Sequence, residues 1–206
     1  MRIYVIPAAL VVGLLSGCAK SDDKAAPTTE PAAMAAAPAP APGSPEAKIA
    51  EAMSAAPKSI ADQAAIMDWP ATEGGQMTQL RAGTNGWTCF PSSPAAVTAA
   101  DKDPMCLDES WLAFAEAWTT HATPKFTHAG IGYMLQGDAG SSATDPFAMA
   151  ATADNQWVET PPHLMIIVPD PKALEGFPTD AESGRPYVMW SGTPYAHIMA
   201  PVADKM

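Results

Sequence analysis

Basic side chains are scarce in this chain: 11 Lys and Arg stand against 22 Asp and Glu, for a formal net charge of −11. A surface this acidic repels phosphate backbones, and no Lys/Arg cluster counters the repulsion. That argues against nucleic acid as a partner and against a basic face as the means of holding a membrane. Long apolar runs are also missing. The longest near the start, Ile3 to Leu15, holds 13 residues, whereas a spanning helix needs about 20. Cysteine is limited to three positions and none forms Cys-x-x-Cys, so the spacing that depresses a thiol pKa in redox dithiols is absent. Gly-x-Ser-x-Gly does not occur, which removes one usual local signature of a serine nucleophile.

The short apolar run follows Arg2 and closes on small residues, the pattern of a secretory leader. It ends in Leu15-Ser16-Gly17-Cys18. These four residues resemble the lipobox of bacterial lipoproteins. The resemblance implies cleavage before Cys18, a diacylglyceryl thioether on its sulfur and acylation of its new amino group. Several acyl chains would then hold the protein at a membrane without a spanning helix, since each buried methylene contributes about 0.8 kcal/mol. Ala19 follows the cysteine, where aspartate would resemble an inner-membrane retention signal. The implied location is the cell envelope, at the outer membrane and facing the periplasm.

With Cys18 assigned to lipid, Cys89 and Cys106 remain as a pair, 17 positions apart, in a compartment that permits disulfides. A bridge between them is expected, and in the chain-entropy view a loop of this length contributes about 3 kcal/mol.

Residues 19–45 contain 10 Ala and 6 Pro and lack aromatic or β-branched apolar side chains, so they cannot bury enough surface to offset ordering. The expected organisation is a leader over 1–17, lipidated Cys18 with a disordered Ala/Pro linker to 45, and one globular domain over 46–206. In the extended polyproline form, at about 3.1 Å per residue, the linker would reach roughly 80 Å. That is far enough to bring the domain to another envelope protein or to the cell wall.

Within the domain, Ser44, Pro45 and Glu46 predict a capped helix start with Ile49, Met53 and Ala56 as an apolar stripe ending before Pro57. Asp108 predicts a second cap, followed by Trp111, Phe114, Ala115 and Trp118 at helical spacing. Strands are expected over Gln63 to Trp69, Met77 to Arg81, Gly130 to Leu135, His163 to Val168, Tyr187 to Trp190 and Ala196 to Met199. Asn85-Gly86 reads as a tight turn with positive φ at both residues. The fold class expected is α+β: one domain, a mainly antiparallel sheet, and one or two covering helices. Four further segments resemble a family of uncharacterised secreted bacterial proteins: Leu80 to Cys89, Pro104-Met105-Cys106, Tyr133 to Asp138 and Pro186 to Trp190. The resemblance implies a shared fold and secretion, and carries no activity.

Two segments read His-x-Met at the start of an apolar strand: His163-Leu164-Met165 and His197-Ile198-Met199. Alternation puts residues i and i+2 on one face, so each pair presents an imidazole beside a thioether. Were the strands neighbours, His163, Met165, His197 and Met199 would offer a copper(I) site of soft and borderline donors, with His128 as a fifth ligand. The competing reading makes each histidine a hydrogen-bonded strand end and each methionine core filling. Gly137 to Pro146 carries carboxylates and hydroxyls suited to calcium. Without Asp-x-Asp-x-Asp-Gly or a closing glutamate, however, it reads as side-chain-capped turns. Glu109 and Glu116 fall on solvent-facing helix positions, giving no paired-carboxylate centre. The six tryptophans are expected chiefly as core anchors. Together these features point to a lipid-anchored envelope protein that serves binding or envelope maintenance without catalysis. The alternatives are a periplasmic copper-binding protein and a hydrolase of envelope polymer.

Overall fold

The computed structural model describes residues 39–72, 74–94 and 102–203. The expectations for the leader, for Cys18 and for linker residues up to 38 lie outside the described residues. One compact unit begins at Ala39.

Helix α1, Pro45–Met53, starts where its signals place it: the Ser44 hydroxyl accepts the Ala47 N–H at 3.2 Å and Pro45 occupies the first turn. It stops at Met53, four residues before Pro57, and Pro57 instead leads into the short helix α2, Lys58–Ala61. The carbonyls at the end of α2 lack intrahelical partners. Arg81 supplies one at Ala61 O, and its guanidinium donates also to Ala64 O in the turn that follows the helix. Helix α3, Glu109–Thr119, is capped by Asp108, whose Oδ1 accepts the Trp111 N–H at 2.9 Å. The other oxygen of Asp108 accepts the Ile131 N–H at 2.6 Å, so one carboxylate fixes the helix start to the neighbouring strand.

Among the described residues ten strands form: β1 Ala65–Asp68, β2 Thr78–Arg81, β3 Thr88–Phe90, β4 Met105–Leu107, β5 Gly130–Met134, β6 Ser141–Ser142, β7 Trp157–Val158, β8 His163–Ile167, β9 Tyr187–Met189 and β10 His197–Pro201. Eight of them make one sheet in the order β2-β1-β3-β4-β5-β8-β10-β9, while β6 and β7 pair separately. Every neighbouring pair is antiparallel except β1 and β3, which run parallel. The domain is therefore α+β, with a mostly antiparallel sheet and covering helices.

Asn85-Gly86 departs from the expected positive φ at both residues. Only Gly86 has positive φ, at 78°, and β3 pairs with β1 rather than β2. The Asn85 side chain explains this: its Nδ2 donates to Ile60 O at 2.9 Å while its Oδ1 accepts the Trp87 N–H at 3.2 Å. The turn is tied to α2 and carries the chain across to the far side of β1. Gly83 makes that crossing possible, since a Cβ there would fall inside the backbone of Ala64 and Ala65.

Opposite faces of the sheet bury different chemistry. Alternation sends Phe90 and Leu107 to one side with Trp111 and Phe114 of α3, plus Met134, Met165, Ile167, Tyr187, Met189 and Met199. Cys89 and Cys106 point the other way, into a layer dominated by Ala52, Ala55, Ala61, Ala64 and Ile66 beneath α1 and α2. Four indoles anchor the large face by donating to backbone carbonyls: Trp69 to Pro91, Trp111 to Met165, Trp118 to Pro146 and Trp190 to Ser142. The tryptophans thus serve mainly as anchors, as expected.

Cys89 and Cys106 are directly opposed on β3 and β4 and are joined as a disulfide. Reduction, or the double change Cys89→Ala with Cys106→Ala, is expected to cost about 3 kcal/mol in urea unfolding; a loss below about 1 kcal/mol would show that the bridge braces nothing. Gly83→Ala is expected to destabilise by about 2 kcal/mol or more, read as a lowered urea midpoint at unchanged slope.

Candidate functional site

Among the described residues the buried polar side chains are Ser142, Thr160, His163 and His197, and two of them, Thr160 and His163, stand where β8 begins. Pro161 and Pro162 deliver the chain into the strand, and His163, its first residue, is fully buried. The ring Nδ1–H donates to Pro161 O at 2.7 Å. That bond fixes the neutral tautomer and leaves Nε2 as a bare lone pair. Among the described residues Nε2 is buried and has no hydrogen-bond partner.

Sheet register sets the neighbours of His163. Met134 on β5 lies directly opposite, and Pro201 on β10 flanks the other side. Met165 follows two residues along, on the same face, and pairs with Met199 on β10. All three methionines are buried.

A short polar network stands beside the imidazole. A turn at Gly137, with φ of 82°, lets Asp138 double back, and its Oδ1 accepts the Thr160 N–H at 2.8 Å and the Gly140 N–H at 3.0 Å. The Thr160 hydroxyl lies 3.3 Å from the Tyr187 hydroxyl. Burial pushes the Asp138 carboxyl up, against the opposing pull of His163 and of the two amides. Burial likewise pushes His163 down, against the attraction of Asp138. Desolvation also raises the Tyr187 phenol. A cleft of about 450 Å³ adjoins this end of the sheet, lined by Trp157, Glu159, Thr160, Pro161, Glu182 and Pro201 among others. Its volume falls in the range of small-ligand sites.

The sequence-derived donors do not all meet here. His197 is paired with Met189 and lies four residues along β10 from Pro201, the partner of His163. At about 3.3 Å per residue the two histidine backbones are roughly 13 Å apart along the strands. The His197 Nδ1–H donates to Tyr195 O at 2.9 Å, the same i−2 lock as in His163. His197 sits in an aromatic cage, its ring centroid 4.8 Å from Trp190, 5.3 Å from Trp111 and 5.9 Å from Phe114. His128 is exposed, its Nδ1 2.9 Å from the Thr127 hydroxyl, before the end of β5 opposite Met134. Of the five expected metal ligands, His163, Met165 and Met199 are neighbours, and His197 and His128 stand apart from them. Met134, Asp138, Thr160 and Tyr187 were not foreseen. The segment Tyr133 to Asp138 was singled out for resemblance, but nothing in it announces which strand it meets.

The Gly137 to Pro146 segment uses its polar groups on turns. Asp138 holds two amides, Ser142 Oγ accepts from Thr144 and Asp145 N–H, and Asp145 Oδ1 accepts from Phe147 N–H. Among the described residues no group of three or more His, Cys, Asp or Glu side chains is placed to hold a metal ion.

Full burial lowers His197 from its ordinary 6.5 to about 4, with the charge of His163 adding to the effect. A histidine depressed in the folded state binds more protons unfolded, so the stability it contributes is present above 6.5 and lost as pH falls toward 4. The wild type is therefore expected to lose roughly 3 kcal/mol more than His197→Phe across that window. Urea unfolding at a series of pH values reads this difference, and parallel curves for the two proteins would contradict it.

No family model, no curated protein and no solved structure matches this chain.

Proposed function

We propose that this chain is a lipid-anchored protein of the bacterial cell envelope whose α+β domain works by binding rather than catalysis. The observation that carries the anchor is the pairing of Cys89 with Cys106, which leaves Cys18 as the one remaining cysteine, at the end of a 13-residue apolar run. An exported chain with three cysteines leaves one thiol over, and a lipid thioether accounts for it. Among the described residues no helix is long and apolar enough to cross a membrane, so attachment through acyl chains is the simplest way to hold the domain at a bilayer. Ala19 favours the outer membrane, with the domain facing the periplasm. The acidic surface argues against nucleic acid, and the length of residues 19–45 lets the domain reach an envelope partner or the cell wall.

The cleft beside His163 supports binding as the mode of action, because buried polar groups converge behind an opening of suitable size. A second reading, metal binding, is favoured by one specific observation: the orphaned His163 Nε2.

Mass spectrometry of the mature chain, extracted in detergent from membranes, is expected to give an N-terminal peptide starting at Cys18 and carrying diacylglyceryl and N-acyl mass. Cys18→Ser is expected to abolish that mass and leave the leader uncleaved. A free thiol at position 18 in the wild type, or recovery of the mature chain without lipid in the soluble periplasmic fraction, would overturn the anchor.

A further inference from the structure

We propose that the core end of β8 is a copper(I) site formed by Nε2 of His163 and the thioethers of Met134, Met165 and Met199. The proposal rests on the reading of the domain as a binding module and names the ligand of the site next to its cleft.

Three observations converge on it. First, the imidazole is set up as a ligand. Its Nδ1–H is held by Pro161 O, which is how ligating histidines are usually oriented, with the outer nitrogen engaged and the inner lone pair free. That lone pair is buried without a partner. An unsatisfied buried polar atom costs roughly 1–3 kcal/mol and is uncommon in native interiors, so its presence calls for an occupant.

Second, the register brings thioethers to it from three directions. Met134 is its direct cross-strand partner, Met165 is its same-face neighbour at i+2, and Met199 is its diagonal neighbour through the Met165–Met199 pair. Directly opposed Cβ atoms on a sheet lie about 5 Å apart and diagonal ones about 7–8 Å. Long, flexible methionine side chains cover such distances. One imidazole with three thioethers is a soft, neutral donor set, suited to copper(I) and poorly suited to Zn²⁺, Ca²⁺ or Mg²⁺. Met134 is essential to this set and was not among the donors expected from sequence, whereas caged His197 and exposed His128 drop out.

Third, the site has a compensating charge and an access route. A buried monovalent cation needs an opposite charge nearby, and the Asp138 carboxyl is held at the entry to β8, its Oδ1 accepting the N–H of Thr160, three residues before His163. Thr160 and Pro161, which lead into His163, and Pro201, its β10 partner, all line the cleft. Copper would arrive from that side, passed from a solution ligand without change of oxidation state.

The test uses the mature, detergent-solubilised full chain under anaerobic conditions, with copper(I) supplied as its bicinchoninate complex. One equivalent is expected to transfer to the protein, and X-ray absorption is expected to show one nitrogen and sulfur donors at the metal. The triple change Met134→Leu, Met165→Leu and Met199→Leu conserves volume. It is expected to keep the wild-type circular dichroism while weakening copper(I) at least 100-fold, and His163→Leu is expected to do the same. Met189→Leu and His197→Phe are expected to bind as wild type. Failure of the wild type to take copper from bicinchoninate would overturn the proposal, as would undiminished binding by the triple variant or equal affinity for Zn²⁺. The lipid mass at Cys18 is read on the same sample. Loss of copper binding with that mass intact would sink the metal site alone, and loss of the mass with copper bound would sink the anchor alone.

Discussion

The fold depends on the junction between β3 and β4, which the Cys89–Cys106 disulfide closes. On one side of that junction lie β2, β1 and β3, built from residues before 91; on the other lie β4, β5, β8, β10 and β9, built from residues after 104. Both joined strands have only three residues, so the ladder between them offers few hydrogen bonds. A covalent link between directly opposed residues in mid-strand fixes register at that weak point, where a slip of one residue would exchange the two cores. It also removes entropy from the unfolded chain. The alanine-rich layer under α1 and α2 fits this arrangement, because small side chains let the helices approach the two sulfurs closely.

From that junction outward, single groups repeatedly serve two elements. Asp108 caps α3 with one oxygen and holds β5 with the other. Arg81 leaves β2 to satisfy one carbonyl at the end of α2 and another in the turn that follows it. Trp111 packs in the core and donates its indole N–H to Met165 O on β8. Each of these satisfies a buried or terminal polar group that would otherwise cost free energy, and each also orients an element against its neighbour. The chain of contacts from Asp108 through Trp111 to β8 links the disulfide junction to the strand that carries His163.

Local chemistry was the legible part of this fold. Ser44 and Asp108 mark helix starts because capping is an interaction over three residues, and β5, β8, β9 and β10 announce themselves as apolar runs between prolines and glycines. The short strands β3 and β4 were missed, since three residues hold no periodicity. Asn85-Gly86 misled on one point, for a physical reason: the asparagine side chain bonds Ile60 O and the Trp87 N–H, and only Gly86 takes the positive φ expected of both residues. At the candidate site, the i, i+2 placement of His163 with Met165 and of His197 with Met199 was correct. The offset between the two strands is set by register, which sequence spacing does not contain, and so neither the nearness of Met134 to His163 nor the separation of His197 from it could be read there.

The two histidines show how little of a site resides in a local motif. Each opens a strand, precedes a methionine by two, and donates Nδ1–H to the carbonyl two residues back. What separates them is the row of the sheet each occupies. In the row of His197 stands Met189 on β9, with three aromatic rings closing round the imidazole, and full burial there favours the neutral ring. In the row of His163 stand Met134 and Pro201, with the Met165–Met199 pair one row inward and Asp138 alongside. The Nε2 of His163 is buried without a hydrogen-bond partner among the described residues, and the side chains that register sets beside it are those of methionine and proline. A buried acceptor among acceptors is unfavourable for an empty pocket and favourable for one that receives a cation, and this asymmetry distinguishes His163 from its twin.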